Sequence, residues 1–231
     1  MVTTDMAKRL NLRELPAYSI AEAAHYLSVP PATTRYWAKG QDPYPALIET
    51  PHSQPALLSF LNLVELHVLA AIRRKHAVPM PKVRQAIDYL RDNTQNQADK
   101  RHPLISKELQ TDGLDLFIER YGELVNISQE GQLAMREVMK AALHRIERDS
   151  HGIPVKLYPF TRSQIDDAPA MVVIDPDLSA GRPVIAGTGL ATEIIAERYK
   201  AGDSVMDLAK DYGRTKAEIE EAIRTELKPA A

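Results

Sequence analysis

The stretch SIAEAAHYLSVPPATTRYWAKG, Ser19 to Gly40, decides how the first part of the chain is read. Ser19 and Glu22 have the spacing of a reciprocal capping box, so a helix starts at Ile20. Ile20, Ala24 and Leu27 then share one face of it. Ser28-Val29 interrupts the pattern. Pro30-Pro31 opens a second helix, because a proline at the first helical position gives up no hydrogen bond. That helix should reach Ala38 and stop at Gly40. From Pro31 to Gly40 it holds Arg35 and Lys39 and no acid, the pattern of a helix made to lie against nucleic acid.

The surrounding charge agrees. The 231 residues carry a net charge of −2, yet residues 1–90 alone are at +3, residues 91–149 at −2 and residues 150–231 at −3. A phosphate-binding surface is therefore expected at the N-terminal end. With 44% hydrophobic and 26% charged residues, the composition is that of a soluble globular protein of one large domain or two to three small ones. There is no cysteine, which excludes disulfides, thiolate metal sites and cysteine nucleophiles. No signal peptide is visible and no apolar run approaches the ~20 residues of a membrane span, so a cytoplasmic location is expected.

Beyond Gly40, ALIET (46–50) and ALLSF (56–60) flank PHSQP and predict a β-hairpin wing. Leu61 to His76 predicts a helix with Leu61, Val64, Val68, Ala71 and Ile72 as an apolar stripe, either a dimer element or intramolecular core. A further helix follows from Lys82 to Arg91, and the polar run Arg91–Pro103 reads as a linker or exposed loop. DLFIER (115–120) and LVNIS (124–128) around Tyr121-Gly122-Glu123 predict a second hairpin. Gln132–Arg148 predicts a helix with Leu133, Val138, Ala142 and Ile146 buried, and VKLYPF (155–160) and MVVID (171–175) are strand-like.

At the C-terminal end, helices are expected from Ala191 to Ala201, after Ser204, and after Thr215, with Gly213 making a turn and Ile219, Ala222, Ile223 and Leu227 inward. SVMDLA at Ser204 echoes SIAEAA at Ser19, so either could open a helix-turn-helix. Charge decides between them. The segment Arg214–Lys228 balances Arg214, Lys216, Arg224 and Lys228 against Glu218, Glu220, Glu221 and Glu226, and a balanced helix gains little from DNA. It is expected to bind protein.

YSIAEAAHYLSVPPATTRYW resembles the winged helix-turn-helix of MerR-type regulators, whose reading helix commonly ends in an Arg-Tyr-aromatic triplet, here Arg35-Tyr36-Trp37. Ile174–Ile223, with its Asp175-Pro176 and GRPVIAGT core followed by Ala-Gly-Asp-Ser and helices, resembles a small domain of VapB-type antitoxins. Where that pattern often has Arg after Gly-Thr, this chain has Gly189, so that arginine's role does not carry over. The two resemblances imply an antitoxin that binds operator DNA, autoregulates its operon and inhibits a PIN-like ribonuclease toxin, and a homodimer is expected because one short reading helix contacts only a few base pairs. The alternative is a MerR-type regulator sensing a small non-thiol effector, which would need a pocket in the middle of the chain.

The expected layout is a tail at 1–16, a DNA-binding domain at 17–92, a middle hairpin-helix region at 93–160 and a C-terminal helical domain at 161–231. The fold class is mainly α with small β-hairpins. Thr33, Thr34, Arg35, Tyr36 and Lys39 are candidate DNA contacts, against the alternative of a merely solvated face. His52, in the wing beside Gln54, is another such contact or part of an inert loop, and Trp37 is read as core. Gly181–Gly189 (GRPVIAGTG) lacks the lysine of a P-loop, so it reads as a glycine-pinned turn beside a short strand. By the resemblance, Arg182 enters the acidic site of the toxin, where a guanidinium suits bidentate carboxylate contact. Asp166, Asp167, Asp175 and Asp177 lack EF-hand spacing and read as caps, the histidines lack metal spacing, and no Gly-x-Ser-x-Gly elbow exists. No enzyme activity, cofactor or metal is expected.

Overall fold

The computed structural model describes residues 12–75, 79–94, 96–107, 109, 113–125, 128–162 and 168–227. Among them are the α-helices α1 (Ile20–Leu27), α2 (Pro31–Lys39), α3 (Phe60–Lys75), α4 (Met80–Asn93), α5 (Gln97–Arg101), α6 (Leu114–Val125), α7 (Gln129–Leu143), α8 (Thr192–Lys200), α9 (Val205–Tyr212) and α10 (Lys216–Glu226). Strands β1 (Ile146–Arg148), β2 (Pro154–Leu157), β3 (Val172–Ile174) and β4 (Pro183–Ile185) form one antiparallel sheet in the order β1-β2-β3-β4. The chain is mainly helical with one small sheet. No described helix is long and apolar enough to cross a membrane.

Helix α3 is the centre of the core. Leu61, Leu63, Val64, Leu66, Val68, Leu69, Ala70, Ala71 and Ile72 are all buried, so the helix is wrapped on every side rather than along one stripe. α1, α7 and the turn Pro103–Ile105 pack on it. The stripe from Leu61 to Ile72 is therefore intramolecular core, the second of its two readings, and not a dimer element. A single apolar cluster joins Trp37 and Leu47 near the N-terminal end to Leu104, Phe117, Met135, Leu157 and Ile174. A separate cluster, Ile185, Ile195, Leu208, Ile219, Ala222 and Ile223, holds α8–α10 against β4. His67 is buried among apolar side chains, stacked on Phe160 with ring centroids 4.9 Å apart.

Four expectations fail, each for a reason of packing. No hairpin forms between 46–50 and 56–60: the Leu47 and Ile48 amides both donate to the Trp37 carbonyl, while Leu58 exchanges backbone hydrogen bonds with Tyr18. The two segments spend their polar groups on other partners, so no two-stranded wing can be made. The second hairpin is helix α6, because Leu114, Phe117, Ile118 and Tyr121 fall at the helical period and all are buried. Asn126 and Ile127 lie outside the described residues. Arg91–Pro103 is not an exposed linker, since it contains α5 and buries His102 and Pro103. Finally, α7 ends at Leu143 rather than Arg148, Ile146 enters a strand, and Leu133 and Leu227 are exposed.

Candidate nucleic-acid interface and the turn at Arg182

The capping box of α1 is complete: Ser19 Oγ accepts from the Glu22 amide at 3.1 Å, and Glu22 Oε2 accepts from the Ser19 amide at 2.8 Å. Ser28 closes the helix in a left-handed conformation and α2 starts at Pro31. At the far end, Gly40 adopts φ +74°, and a Cβ there would lie 2.6 Å from the Tyr44 carbonyl oxygen, so glycine is required for the chain to fold back. Trp37 is wholly buried and fixes the inner face of α2.

The outer face is left to solvent. Arg35 and Lys39, four residues apart and hence on one side of the helix, are both exposed. Thr33 is partly exposed, and Tyr36 is half-buried with its ring packed on the core. Pro31, Ala32, Arg35 and Tyr36 line a shallow open depression with Gly40 and Gln41. Thr34 does not belong to this face: it is buried, and its Oγ1 donates to the Pro30 carbonyl at 3.3 Å. Its expected contact with DNA is corrected accordingly. His52 is exposed, in an irregular segment rather than a wing.

Several charges of α8–α10 are paired within the unit. Arg214 lies 3.7 Å from Glu218, Lys216 3.3 Å from Glu220 and Arg224 3.5 Å from Glu221. Arg198 reaches Asp203 and Asp211 at 2.6 and 2.7 Å. Glu221 is buried and anchored by Arg162 at 2.9 Å, which ties α10 to the segment before β3. Burial disfavours its charge, but the hydrogen bond from Arg162, with the charges of Arg162 and Arg224, outweighs that and holds the carboxyl below its ordinary range.

GRPVIAGTG forms β4 and a turn. Thr188 Oγ1 donates to the Ile185 carbonyl at 2.8 Å and accepts from the Leu190 amide at 3.1 Å. Just before it, Ser179, Ala180 and Gly181 have φ of 48°, 54° and 77°, three successive left-handed residues of which two carry a Cβ. Such a run stores strain that the surroundings must hold in place. Arg182, which follows, is exposed and donates to Glu193 at 2.7 Å. Asp175 is buried and accepts from the Asp177 amide at 2.9 Å, as a turn-capping residue does. Asp166 and Asp167 lie outside the described residues.

Several residues gather at one place that sequence reasoning did not single out. Tyr18, His25 and Tyr26 of the N-terminal segment meet Gly181, Arg182, Glu193 and Glu226. The Tyr18 hydroxyl donates to the Gly181 carbonyl at 3.0 Å, and His25 Nε2 lies 3.7 Å from Glu226. Burial, reinforced by the charges of Glu22 and Glu226, pushes the Tyr26 phenol up to about 12, against the opposing charge of Arg182. A second such group is the buried pair Glu65–His102, whose Oε2 and Nδ1 are 2.8 Å apart. Glu65 was detectable as a lone acid inside the stripe of α3. The Tyr18–Gly181 contact, between residues 163 apart, had no local signal.

These features define a mainly helical protein with an exposed basic helix early in the chain and a compact three-helix unit late in it. Residues 172–224, β3 to α10, match the family described as "Protein of unknown function (DUF433)". The whole chain is similar to the Mycobacterium tuberculosis protein named "Putative antitoxin VapB45", 32% identical over 94% of this chain and 96% of that one. It is also similar to the uncharacterized protein Rv2308 of the same organism, 28% identical over 89% of this chain and 88% of the other. The crystal structure of M. tuberculosis Rv2018 superposes with a TM-score of 0.68 at 28% identity, covering 90% of this chain and 98% of that one. The chain belongs to the VapB45 family, and this kinship supports an antitoxin role.

Proposed function

We propose that the chain is the antitoxin of a toxin–antitoxin pair that represses its own operon. Its relative's name supports the first half of that reading. The single observation carrying the second is the exposed face of α2, where Arg35 and Lys39 stand in a helix without acids while Trp37 locks the opposite face into the core. Phosphate neutralisation by such residues supplies sequence-independent affinity, and Tyr36 and Thr33 sit beside them to contact backbone or base edges. His52, exposed between α2 and α3 in the sequence, is read as a further backbone contact. One helix of nine residues reads few base pairs, so two copies acting on related half-sites restore specificity. The chain works by binding rather than catalysis, in the cytoplasm, where its operator and toxin are.

Gel shift on the DNA upstream of the chain's own reading frame tests this reading at two salt concentrations. Arg35→Ala is expected to weaken binding by about ten-fold or more, as loss of a base or phosphate contact does. Wild-type affinity in that variant, or no DNA binding at low salt, would sink it.

The same proposal assigns toxin binding to the C-terminal unit, with a PIN-like ribonuclease as the partner's class. Arg182 supports this, because an exposed guanidinium bonded only at the surface to Glu193 can exchange that carboxylate for those of a metal-binding active site. Arg182→Ala is expected to reduce inhibition of the adjacent gene's ribonuclease at equal concentrations. Undiminished inhibition removes Arg182 from the contact.

A further inference from the structure

Tyr18 lies at a crossing of three parts of the molecule. Its backbone exchanges hydrogen bonds with Leu58 just before α3, 2.9 and 2.7 Å in the two directions. Its ring stands edge-on to Tyr26 of α1, with centroids 6.4 Å apart and planes at 86°. Its hydroxyl is buried against the Gly181 carbonyl. Gly181 allows no other side chain, since a Cβ would fall 2.3 Å from the Tyr18 oxygen, and its φ of +77° already disfavours one. The contact is paralleled one helix away, where Glu226 of α10 accepts from Thr192 at the start of α8 and faces His25 of α1. The strained turn Ser179–Gly181 is thus fastened to the residue immediately before the cap of α1.

Helix α1 supports α2, so whatever fixes α1 fixes the angle at which Arg35 and Lys39 are offered to DNA. We propose that Tyr18, gripped by Gly181, is a positioning residue for operator reading, and that the C-terminal DUF433-type unit is in this way a working part of the DNA-binding apparatus. The inference rests on the operator-reading role assigned to α2. Tyr18 touches no DNA. Its effect falls on the presentation of α2, and therefore on sequence discrimination rather than on bulk attraction to phosphate.

The test uses the full chain, wild type and with Tyr18→Phe, which deletes one hydroxyl, and Gly181→Ala, which forces the two segments apart. Loss of one ordinary hydrogen bond corresponds to about a five-fold change in an equilibrium. Tyr18→Phe is expected to bind upstream DNA about five-fold more weakly, with unchanged affinity for unrelated duplex and an unchanged salt slope. Amide exchange across Ile20–Lys39 should quicken by a similar factor while Phe60–Lys75 stays as protected as in the wild type. Gly181→Ala should show the same signature more strongly. Wild-type operator affinity and wild-type exchange at 20–39 in both variants would overturn the proposal, and so would a loss of protection spread evenly through the chain. If the wild-type chain shows no preference for its upstream DNA, the operator reading of α2 fails. Exchange at 20–39 then still decides whether the C-terminal unit clamps α1.

Discussion

Trp37→Ala is expected to destabilise the chain by about 3–5 kcal/mol, the range for truncating a large buried aromatic. The Trp37 ring is wholly enclosed, on the inner face of α2, and its carbonyl takes the Leu47 and Ile48 amides, so the side chain and the turn behind it are fixed together. The indole Nε1 is buried without a hydrogen-bond partner among the described residues. Phenylalanine keeps much of the apolar volume and removes that unsatisfied donor, so Trp37→Phe should cost about half as much or less. Urea unfolding followed by circular dichroism measures both. An alanine variant within about 0.5 kcal/mol of wild type would show that Trp37 does not anchor the helix pair.

The second large effect is expected at Glu65 and His102. Both side chains are buried, and the bond between them joins α3 to the segment following α5. Glu65 Oε1 and His102 Nε2 have no further hydrogen-bond partner among the described residues. Removing one member alone, as in Glu65→Ala, leaves the other buried and uncompensated, at a cost of about 3–5 kcal/mol. Replacing both, Glu65→Leu with His102→Phe, should be near neutral or stabilising. Burial by itself lowers the affinity of His102 for a proton, but the charge of Glu65 and the hydrogen bond to it more than reverse this, leaving its pKa above the ordinary histidine value. A raised folded-state pKa means that the pair's contribution is complete below the unfolded value of about 6.5 and is lost as pH rises through the folded value. Wild-type stability should therefore fall from pH 6 towards pH 9 relative to the double variant. Parallel pH profiles for the two would refute a protonated His102.

The helix pair was legible because its signals are local. Ser19 and Glu22, Pro31 and Gly40 fix the ends of α1 and α2 whatever surrounds them. The same holds for α8–α10, where Thr215 and Glu218 complete a capping box and Gly213 turns the chain at φ +60°. The misreadings came where packing overrode a local cue. Gly122 looks like the tip of a hairpin, but it lies inside α6, where its missing side chain makes room for Gln132 of α7, 2.6 Å from a would-be Cβ. The wing failed likewise, since its backbone groups are taken by Trp37 and Tyr18, which the sequence of 46–60 does not contain. In the candidate site, the basic residues of α2 could be found by charge alone. The inward turn of Thr34, and the Tyr18, His25, Gly181 and Glu226 cluster, arise only when distant segments meet.

The enclosure of α3 has a practical result for anyone seeking to divide this protein. Its side chains are shared between neighbours from both halves, so a fragment ending near Asp92 would bare a continuous oily surface in water and would clump rather than fold. The N-terminal end that carries α2 cannot be detached as an independent head. A cut or a destabilising change among α6 and α7 would unsettle α3, and with it the seat of α1 and α2.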